Sequence, residues 1–178
     1  SLQNDIAAAL GGEFAAGLDG PALPTPSWKV VVEVYDPGRL QSALERLVDN
    51  GSRVASAEGG PTFRLTREQA GGLTYYTITS SAGSESAHYV FVDGYLVAAP
   101  SRALLDQAIQ YRRSGYTLSA SPEFRALLPP DGQLNFSALS YTNMRSVLGP
   151  LVEQGRQAGA ELTDQQRQAI QALSGGMK

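Results

Sequence analysis

The sequence predicts an α+β fold in which an antiparallel sheet carries helices packed on one face. Three observations lead to this prediction. Several segments alternate apolar and polar residues as half-buried strands do, and two helical segments carry a single apolar stripe. Asp-Gly and Gly-Gly pairs separate neighbouring strand segments, as tight hairpin turns do. Each apolar stripe can be buried against the apolar face of a sheet whose strands alternate apolar and polar residues. Helices packed on one face of an antiparallel sheet are therefore the simplest arrangement that satisfies both patterns.

The composition is that of a globular protein. The 178 residues, 42% hydrophobic and 17% charged, are sufficient for a single α+β domain over 1–178. With Lys+Arg 14 against Asp+Glu 17, and no cluster of basic residues, we expect no nucleic-acid partner. The absence of cysteine excludes disulfides, thiolate metal sites and a cysteine nucleophile.

No apolar run approaches the roughly 18 residues of a membrane span. The chain begins with Ser and ends in GGMK without a structural stop. We therefore interpret it as a fragment of a longer protein, and a membrane anchor elsewhere in the parent chain is compatible with that interpretation.

The first elements predicted are a short helix and two strands. Residues 5–12 favour a helix that Gly11 or Gly12 would end. Residues 13–20 alternate and finish in Asp-Gly, which indicates a strand and a turn. The segment WKVVVEVY, 28–35, is the clearest strand, with its two charged residues on one side of the alternation.

A helix is predicted directly after this strand. Asp36 can cap it with Pro37 at the first helical position. Asn50-Gly51 is expected to end the helix, and 52–61 is expected to form a loop. Apolar residues recur at helical spacing, which predicts that the helix lies on the sheet: Leu40, Ala43, Leu44, Leu47 and Val48.

Four strands are predicted next, as two hairpins. Residues 62–80 form two strands about the Gly-Gly pair at 71–72. Residues 87–100 form a hairpin with Asp-Gly at 93–94, a pair that tolerates positive φ at both turn positions.

The remaining chain is predicted to be mainly helical. Ser101 caps a helix that Ser114-Gly115 closes, and 121–129 holds another short capped helix. A late strand is expected at 133–141. Two polar, Gln-rich helices then form a C-terminal extension over about 143–178.

Two segments, 34–51 and 97–115, share one pattern: each runs from a strand through proline into a helix that ends in glycine. A duplicated split βαβ arrangement would produce this likeness, and so would the common chemistry of strand-to-helix turns. Both explanations stay open.

Catalytic and metal-binding motifs are absent from the sequence. His88 is the only histidine, and no Gly-x-Ser-x-Gly motif accompanies it, so a structural or surface role is favoured. No calcium-loop pattern is present. We predict no catalytic residue, no metal ligand and no cofactor. Turn formation or helix capping explains the acidic residues that precede Pro, Gly or a turn: Asp36, Asp49, Asp93 and Asp131.

A group of strand tyrosines is the candidate binding surface: Tyr75, Tyr76, Tyr89 and Tyr95. A sheet face rich in tyrosine can bind a peptide or a sugar through its amphipathic rings. The competing interpretation is that half of the strand aromatics pack under the helices, because strands recruit tyrosine and tryptophan for their propensity alone.

Three segments together resemble a known pattern: LPTPSWKVVVEVYDPGRLQSALERLV, VFVDGYLVAAPSRALLDQAI, and SPEFRALLP with QLNFSALSYTN. They are similar to a bacterial domain-of-unknown-function family found in exported or membrane-anchored proteins. The resemblance covers most of 12–143. It implies an extracytoplasmic setting, periplasmic or in the cell envelope, and it supplies no assigned activity and no catalytic residues.

The sequence therefore favours a non-enzymatic domain of a larger envelope-associated protein, which binds a protein or envelope partner through a sheet face or its polar C-terminal helices. Two alternatives stay open. One is a hydrolase that acts on cell-wall or polysaccharide substrates through residues dispersed along the sequence. The other is a carrier of an apolar ligand held between the sheet and the helices.

Overall fold

The computed structural model describes residues 1–18, 27–83, 86–129 and 137–142. The helices and strands in chain order are α1 (Leu2–Ala9), β1 (Leu10–Leu18), β2 (Trp28–Val34), α2 (Pro37–Ala57), β3 (Phe63–Ala70), β4 (Leu73–Ser80), β5 (Ser86–Val92), β6 (Tyr95–Ala99), α3 (Arg102–Ser114), a 3₁₀ turn (Leu118–Ala120) and α4 (Pro122–Arg125).

The six strands form one sheet in the order β1-β2-β6-β5-β4-β3, and every neighbouring pair is antiparallel. The predicted α+β class and antiparallel sheet are confirmed. β2 and β3 run in the same direction with three strands between them, so β2, α2 and β3 form one split βαβ unit. A second unit would need a strand after α3, and the described residues there contain none.

The helices lie on both faces of the sheet rather than on one. Tyr75 of β4 belongs to the apolar cluster of Leu105 and Ile109 on α3. Its neighbour Tyr76 points to the other face and pairs across the ladder with Tyr89, whose hydroxyl contacts α2. Successive side chains of a strand alternate between faces, so α2 and α3 must cover opposite faces. We call these the α2 face and the α3 face.

Each face has its own buried cluster. On the α3 face, Leu105 packs with strand residues that include Val90 and Val97. On the α2 face, α1 and α2 bury Ala9, Val34 and Leu40 against the sheet. Helices therefore lie on both faces of a central sheet whose middle strands, β5 and β6, are the most buried.

The predicted helix caps are confirmed. The Asp36 carboxylate accepts a hydrogen bond from the backbone N–H of Arg39 at 2.9 Å. Ser101 accepts from the N–H of Leu104 at 3.3 Å, and Gly115 ends α3 in the left-handed conformation at φ 75. The turn at Asp93, where φ is 51, is also the one predicted.

The expected end of α2 at Asn50-Gly51 is wrong, since the helix continues to Ala57. The reason lies in a contact distant in sequence. The Ser52 hydroxyl donates to the carbonyl of Phe63 and accepts from its N–H, both at 2.7 Å, and this fastens the additional helical turns to the start of β3. A single glycine inside a helix costs only about 1 kcal/mol, so such a contact can outweigh it.

The first helix also ends earlier than predicted. α1 stops at Ala9, and Gly11 and Gly12 belong to β1. The Glu33 carboxylate accepts from the N–H of Gly12 at 2.9 Å and from that of Glu13 at 3.3 Å, where the β1–β2 register shifts. A Cβ at Gly11 would collide with the Glu33 side chain, so the glycine permits this close approach rather than ending a helix.

The chain divides into two compact units: Ser1–Asp19 with Pro26–Phe136, and Gly20–Thr25 with Ser137–Lys178. Residues 137–142 form no strand, and the rest of the predicted late strand lies outside the described residues. The single domain with a helical extension over 143–178 stays a prediction, because those residues also lie outside the described part.

Candidate functional site

The four tyrosines of the predicted binding surface lie on opposite faces of the sheet. Tyr75 and Tyr95 are on the α3 face, whereas Tyr76 and Tyr89 are on the α2 face. Tyr75 is 8% exposed and Tyr89 is 4% exposed. The structure therefore does not bring these residues together in one open surface.

On the α3 face, Tyr75 joins the sheet to α3. Its hydroxyl donates to the carboxylate of Asp106 at 2.9 Å. The Arg102 guanidinium stacks on the Tyr75 ring at 3.1 Å from the centroid and pairs with Asp106 at 3.2 Å. Burial, followed by the hydrogen bond to Asp106, raises the pKa of the Tyr75 phenol. The phenol is thus held neutral in a structural contact.

Tyr95 makes an equivalent link to the edge of the sheet. Its hydroxyl donates to Glu13 on β1 at 2.6 Å, and Arg112 of α3 lies over its ring at 4.6 Å. The hydrogen bond to the Glu13 carboxylate is the main reason that the pKa of Tyr95 is raised. This residue connects the edge strand to α3.

On the α2 face, the tyrosines contact other aromatic rings and a neutral amide, whereas those on the α3 face contact charged side chains. The rings of Tyr76 and Tyr89 stack with centroids 4.9 Å apart, and Phe91 meets both edge-on. The Tyr89 hydroxyl donates to the Gln41 side-chain carbonyl at 2.9 Å. Burial raises the pKa of the Tyr89 phenol well above its usual range.

His88 lies on the α3 face, beside the region that α3 covers. Its Nδ1 is 3.1 Å from the Thr77 hydroxyl and its Nε2 is 3.0 Å from the Ser86 hydroxyl. Burial, followed by the positive charge of Arg102, lowers the pKa of His88. A Ser-His-Asp triad requires a carboxylate on the second ring nitrogen, and here that position is taken by a threonine.

A cleft of about 520 Å³ lies beside α3, where the helix passes the β3–β4 turn. Leu73, Tyr75 and Ile109 form its apolar part, and Asp106, Gln110 and Arg113 form much of its polar part. A second cleft, of about 490 Å³, lies between α2 and β3 and is lined mainly by charged residues that include Glu45, Asp49 and Arg67.

The α2 face has an apolar region near β1 that sequence reasoning missed. The ladders place seven side chains together there: Phe14, Ala16, Leu18, Trp28, Val30, Val32 and Ala98. We call this set the apolar corner. Phe14 is 70% exposed and Leu18 is 67% exposed. The alternation of WKVVVEV, with its charges on one side, was the available signal, but the pairing of β2 with β1 was needed to recognise the surface.

The β1 side of the corner is exposed, and α2 does not cover it. The helix begins at the Val34 end of β2, where Leu40 packs against Val34, and its later turns reach Phe63 at the start of β3. It therefore moves away from β1 along its length. The part of the face that includes Leu18 and Trp28 stays uncovered by α2.

Within the described residues, no three or more His, Asp or Glu side chains group in a way that would hold a metal ion. Among the same residues, no helix is both long enough and apolar enough to cross a bilayer. The predictions about cofactors and nucleic acid stay predictions.

The six-stranded antiparallel sheet, with helices on both faces, defines an α+β protein. The chain matches, over residues 1–178, the model of the family described as "Protein of unknown function (DUF3352)", and it belongs to that family. The predicted resemblance to a domain-of-unknown-function family is confirmed and extends over the whole chain. No curated protein and no solved structure matches the chain.

Proposed function

We propose that this chain is a non-enzymatic, extracytoplasmic domain of a larger envelope-associated protein, and that it binds a protein partner through the apolar corner. The observation that supports the proposal most strongly is the corner itself. Its seven side chains carry no charge, and Phe14 and Leu18 are each about two-thirds exposed. Contiguous apolar surface of this kind is characteristic of sites of protein association.

The edge of the sheet beside the corner favours one type of partner. β1 is a terminal strand of the sheet and has a single charged residue, Glu13. β3, the other terminal strand, carries Arg64, Arg67 and Glu68, and charged residues of this kind discourage pairing with another chain. We therefore expect an extended segment of the partner to add to β1, with its apolar side chains on the corner.

The contacts of the polar side chains support the non-enzymatic part of the proposal. Tyr75, Tyr89 and Tyr95 each donate to a side chain on another element. Each therefore has a structural role. The resemblance described from the sequence supports the extracytoplasmic setting.

Site-specific photo-crosslinking in the full-length protein, in its own host, tests the binding surface. We would place p-benzoylphenylalanine at Phe14 or Leu18, and at Tyr35 as the matched control. Tyr35 is 68% exposed but follows β2 at the end remote from Leu18. We expect one discrete protein adduct from the two corner positions and none from position 35.

Two further measurements complete this test. Once crosslinking has identified the partner, its affinity for the domain can be measured with both proteins purified. Phe14→Asp should weaken this affinity at least about tenfold, whereas Tyr35→Asp should leave it unchanged. Equal adducts at all three positions, or none at the corner, would contradict the proposal. Turnover of peptidoglycan or polysaccharide that is lost in His88→Ala would instead support the hydrolase alternative. The extracytoplasmic setting has a separate test. In cells whose outer layer has been permeabilised, protease added outside the cytoplasmic membrane should digest the domain.

A further inference from the structure

The cleft beside α3 combines an apolar floor with one positive charge that has no partner in the described structure. Leu73 and Ile109 lie in the floor, and Ile109 belongs to the buried cluster of this face. The volume, about 520 Å³, lies in the range of small-molecule sites. The cleft is on the α3 face and so is separate from the apolar corner.

The two charged side chains of the cleft, Asp106 and Arg113, differ in whether a neighbouring group compensates the charge. Asp106 is paired with Arg102 at 3.2 Å and accepts from Tyr75 at 2.9 Å, so its negative charge is compensated. Arg113 makes no ion pair or hydrogen bond with any part of the chain that the structure describes. The side chain of Gln110, one turn earlier on α3, also lines the cleft. Among the described residues, the cleft therefore offers an anion one guanidinium without a partner, beside an amide.

We propose that this cleft binds a carboxylate attached to a short apolar group. The carboxylate pairs with Arg113, whose planar guanidinium can bind both carboxylate oxygens, and Gln110 donates beside it. The apolar group lies along Ile109 and Leu73 towards the Tyr75 ring. From Asp106 to Arg113, α3 advances about 10 Å at 1.5 Å per residue, which is sufficient for a medium-chain acid. The same chemistry occurs in a free fatty acid and in the C-terminus of a peptide.

Titration of the isotopically labelled 178-residue chain, followed by NMR, tests the proposal. Octanoate is the probe, and octanol and octylamine are the neutral and cationic controls. We expect octanoate to shift the amide signals of Leu73, Ile109 and Gln110, and to bind at least about tenfold more tightly than either control.

Two neighbouring arginines provide matched variants. Arg113→Gln should weaken octanoate binding at least about tenfold, because it removes the charged partner while leaving a polar side chain. Arg112→Gln should leave binding unchanged, since the Arg112 guanidinium lies over Tyr95 and not in the cleft. Arg113 is exposed and has no described partner, so Arg113→Gln should melt with the parent chain.

A second ligand distinguishes the two sources of this chemistry. N-acetyl-leucine represents a peptide C-terminus. Tighter binding of octanoate would identify a fatty acid as the ligand, and tighter binding of N-acetyl-leucine would identify a peptide C-terminus. Either result supports a carboxylate attached to an apolar group. Equal binding of octanoate and octanol would overturn the proposal. So would unchanged affinity in Arg113→Gln, or the absence of any shift in the cleft. None of these results affects the partner surface on the other face.

Discussion

The two faces of the sheet are stabilised by different interactions. On the α3 face, charged side chains surround the tyrosines: Arg102 and Asp106 contact Tyr75, and Glu13 contacts Tyr95. On the α2 face, Tyr89 stacks on another ring and its hydroxyl contacts a neutral amide. Tyrosines in similar positions on the strands therefore have different environments, because a different helix covers each face.

The faces also differ in how completely they are covered. On the α3 face, the buried cluster includes residues of β4, β5 and β6, with Val31 of β2 packed against it. On the α2 face, α1 and α2 bury the Val34 end of β2, whereas Phe14 and Leu18 of the apolar corner stay exposed. The face on which the tyrosines contact rings and a neutral amide is thus also the one with exposed apolar side chains, Phe14 and Leu18, and we assign protein binding to it.

The largest expected effects come from two buried leucines, one on each helix that covers the sheet. Leu105 of α3 is fully buried, and Leu40 of α2 is 3% exposed. We expect Leu105→Ala to lower the free energy of unfolding by about 4 kcal/mol and Leu40→Ala by about 3 kcal/mol. Leu105 belongs to the larger cluster, so its cavity has more rigid walls. Denaturant melts measure both values, and a larger loss for Leu40→Ala would reverse our ranking of the two faces.

The helix caps should have intermediate effects. Asp36→Ala should lower the free energy of unfolding by about 1 kcal/mol, because the first turn of α2 loses its acceptor. Ser101→Ala should cost somewhat less, about 0.5 kcal/mol, since its hydrogen bond to Leu104 is longer. Asp36→Asn is the control that keeps a capping side chain, and it should restore most of the loss. Unchanged stability in Asp36→Ala would contradict the cap assignment.

The smallest effects should appear as a difference in pH dependence between the two faces. On the α2 side, Asp5 of α1 pairs with Arg39 at 2.8 Å and with Arg46 at 2.6 Å. Their hydrogen bonds lower the pKa of Asp5 from 3.8 to about 2. The unfolded chain therefore binds this proton first, and stability should fall as the pH falls from about 4 towards 2.

On the α3 face, the corresponding loss should begin nearer neutrality. The pKa of His88 is lowered below its ordinary value of 6.5 by burial and by Arg102, so the unfolded state binds the proton more readily. Stability should fall as the pH falls below about 6.5, and it should level off once the folded histidine is also protonated. Melts of His88→Gln and Asp5→Asn across pH 2–8 should each remove one of the two losses. A loss near neutrality that persists in His88→Gln would contradict the assignment to His88.

Much of the local structure was predictable, because its causes are local. Asp36 and Ser101 cap helices in the structure as their neighbours in the sequence predict, and the Asp-Gly turn at 93–94 follows from the conformations that these residues tolerate. The predictions were wrong where a contact between residues distant in the sequence determines the local structure. The Ser52 contact with Phe63 extends α2 past Gly51, and no pattern within ten residues contains that information.

The candidate sites were less predictable than the elements that carry them. The alternation of β4 predicts that Tyr75 and Tyr76 point to opposite faces, yet it does not say which helix covers either ring. The cleft at Arg113 and the apolar corner both combine residues from elements that are far apart in the chain. Local spacing could indicate neither.

The sequence by itself determined the α+β class, most helix and strand positions, their caps and the hairpin turns, since these depend on interactions between residues close in the chain. The tertiary structure alone decided the strand order, the placement of α2 and α3 on opposite faces, and the separation of the four tyrosines. These features depend on how strand registers and helix paths bury apolar surface together, which is a property of the whole packed chain.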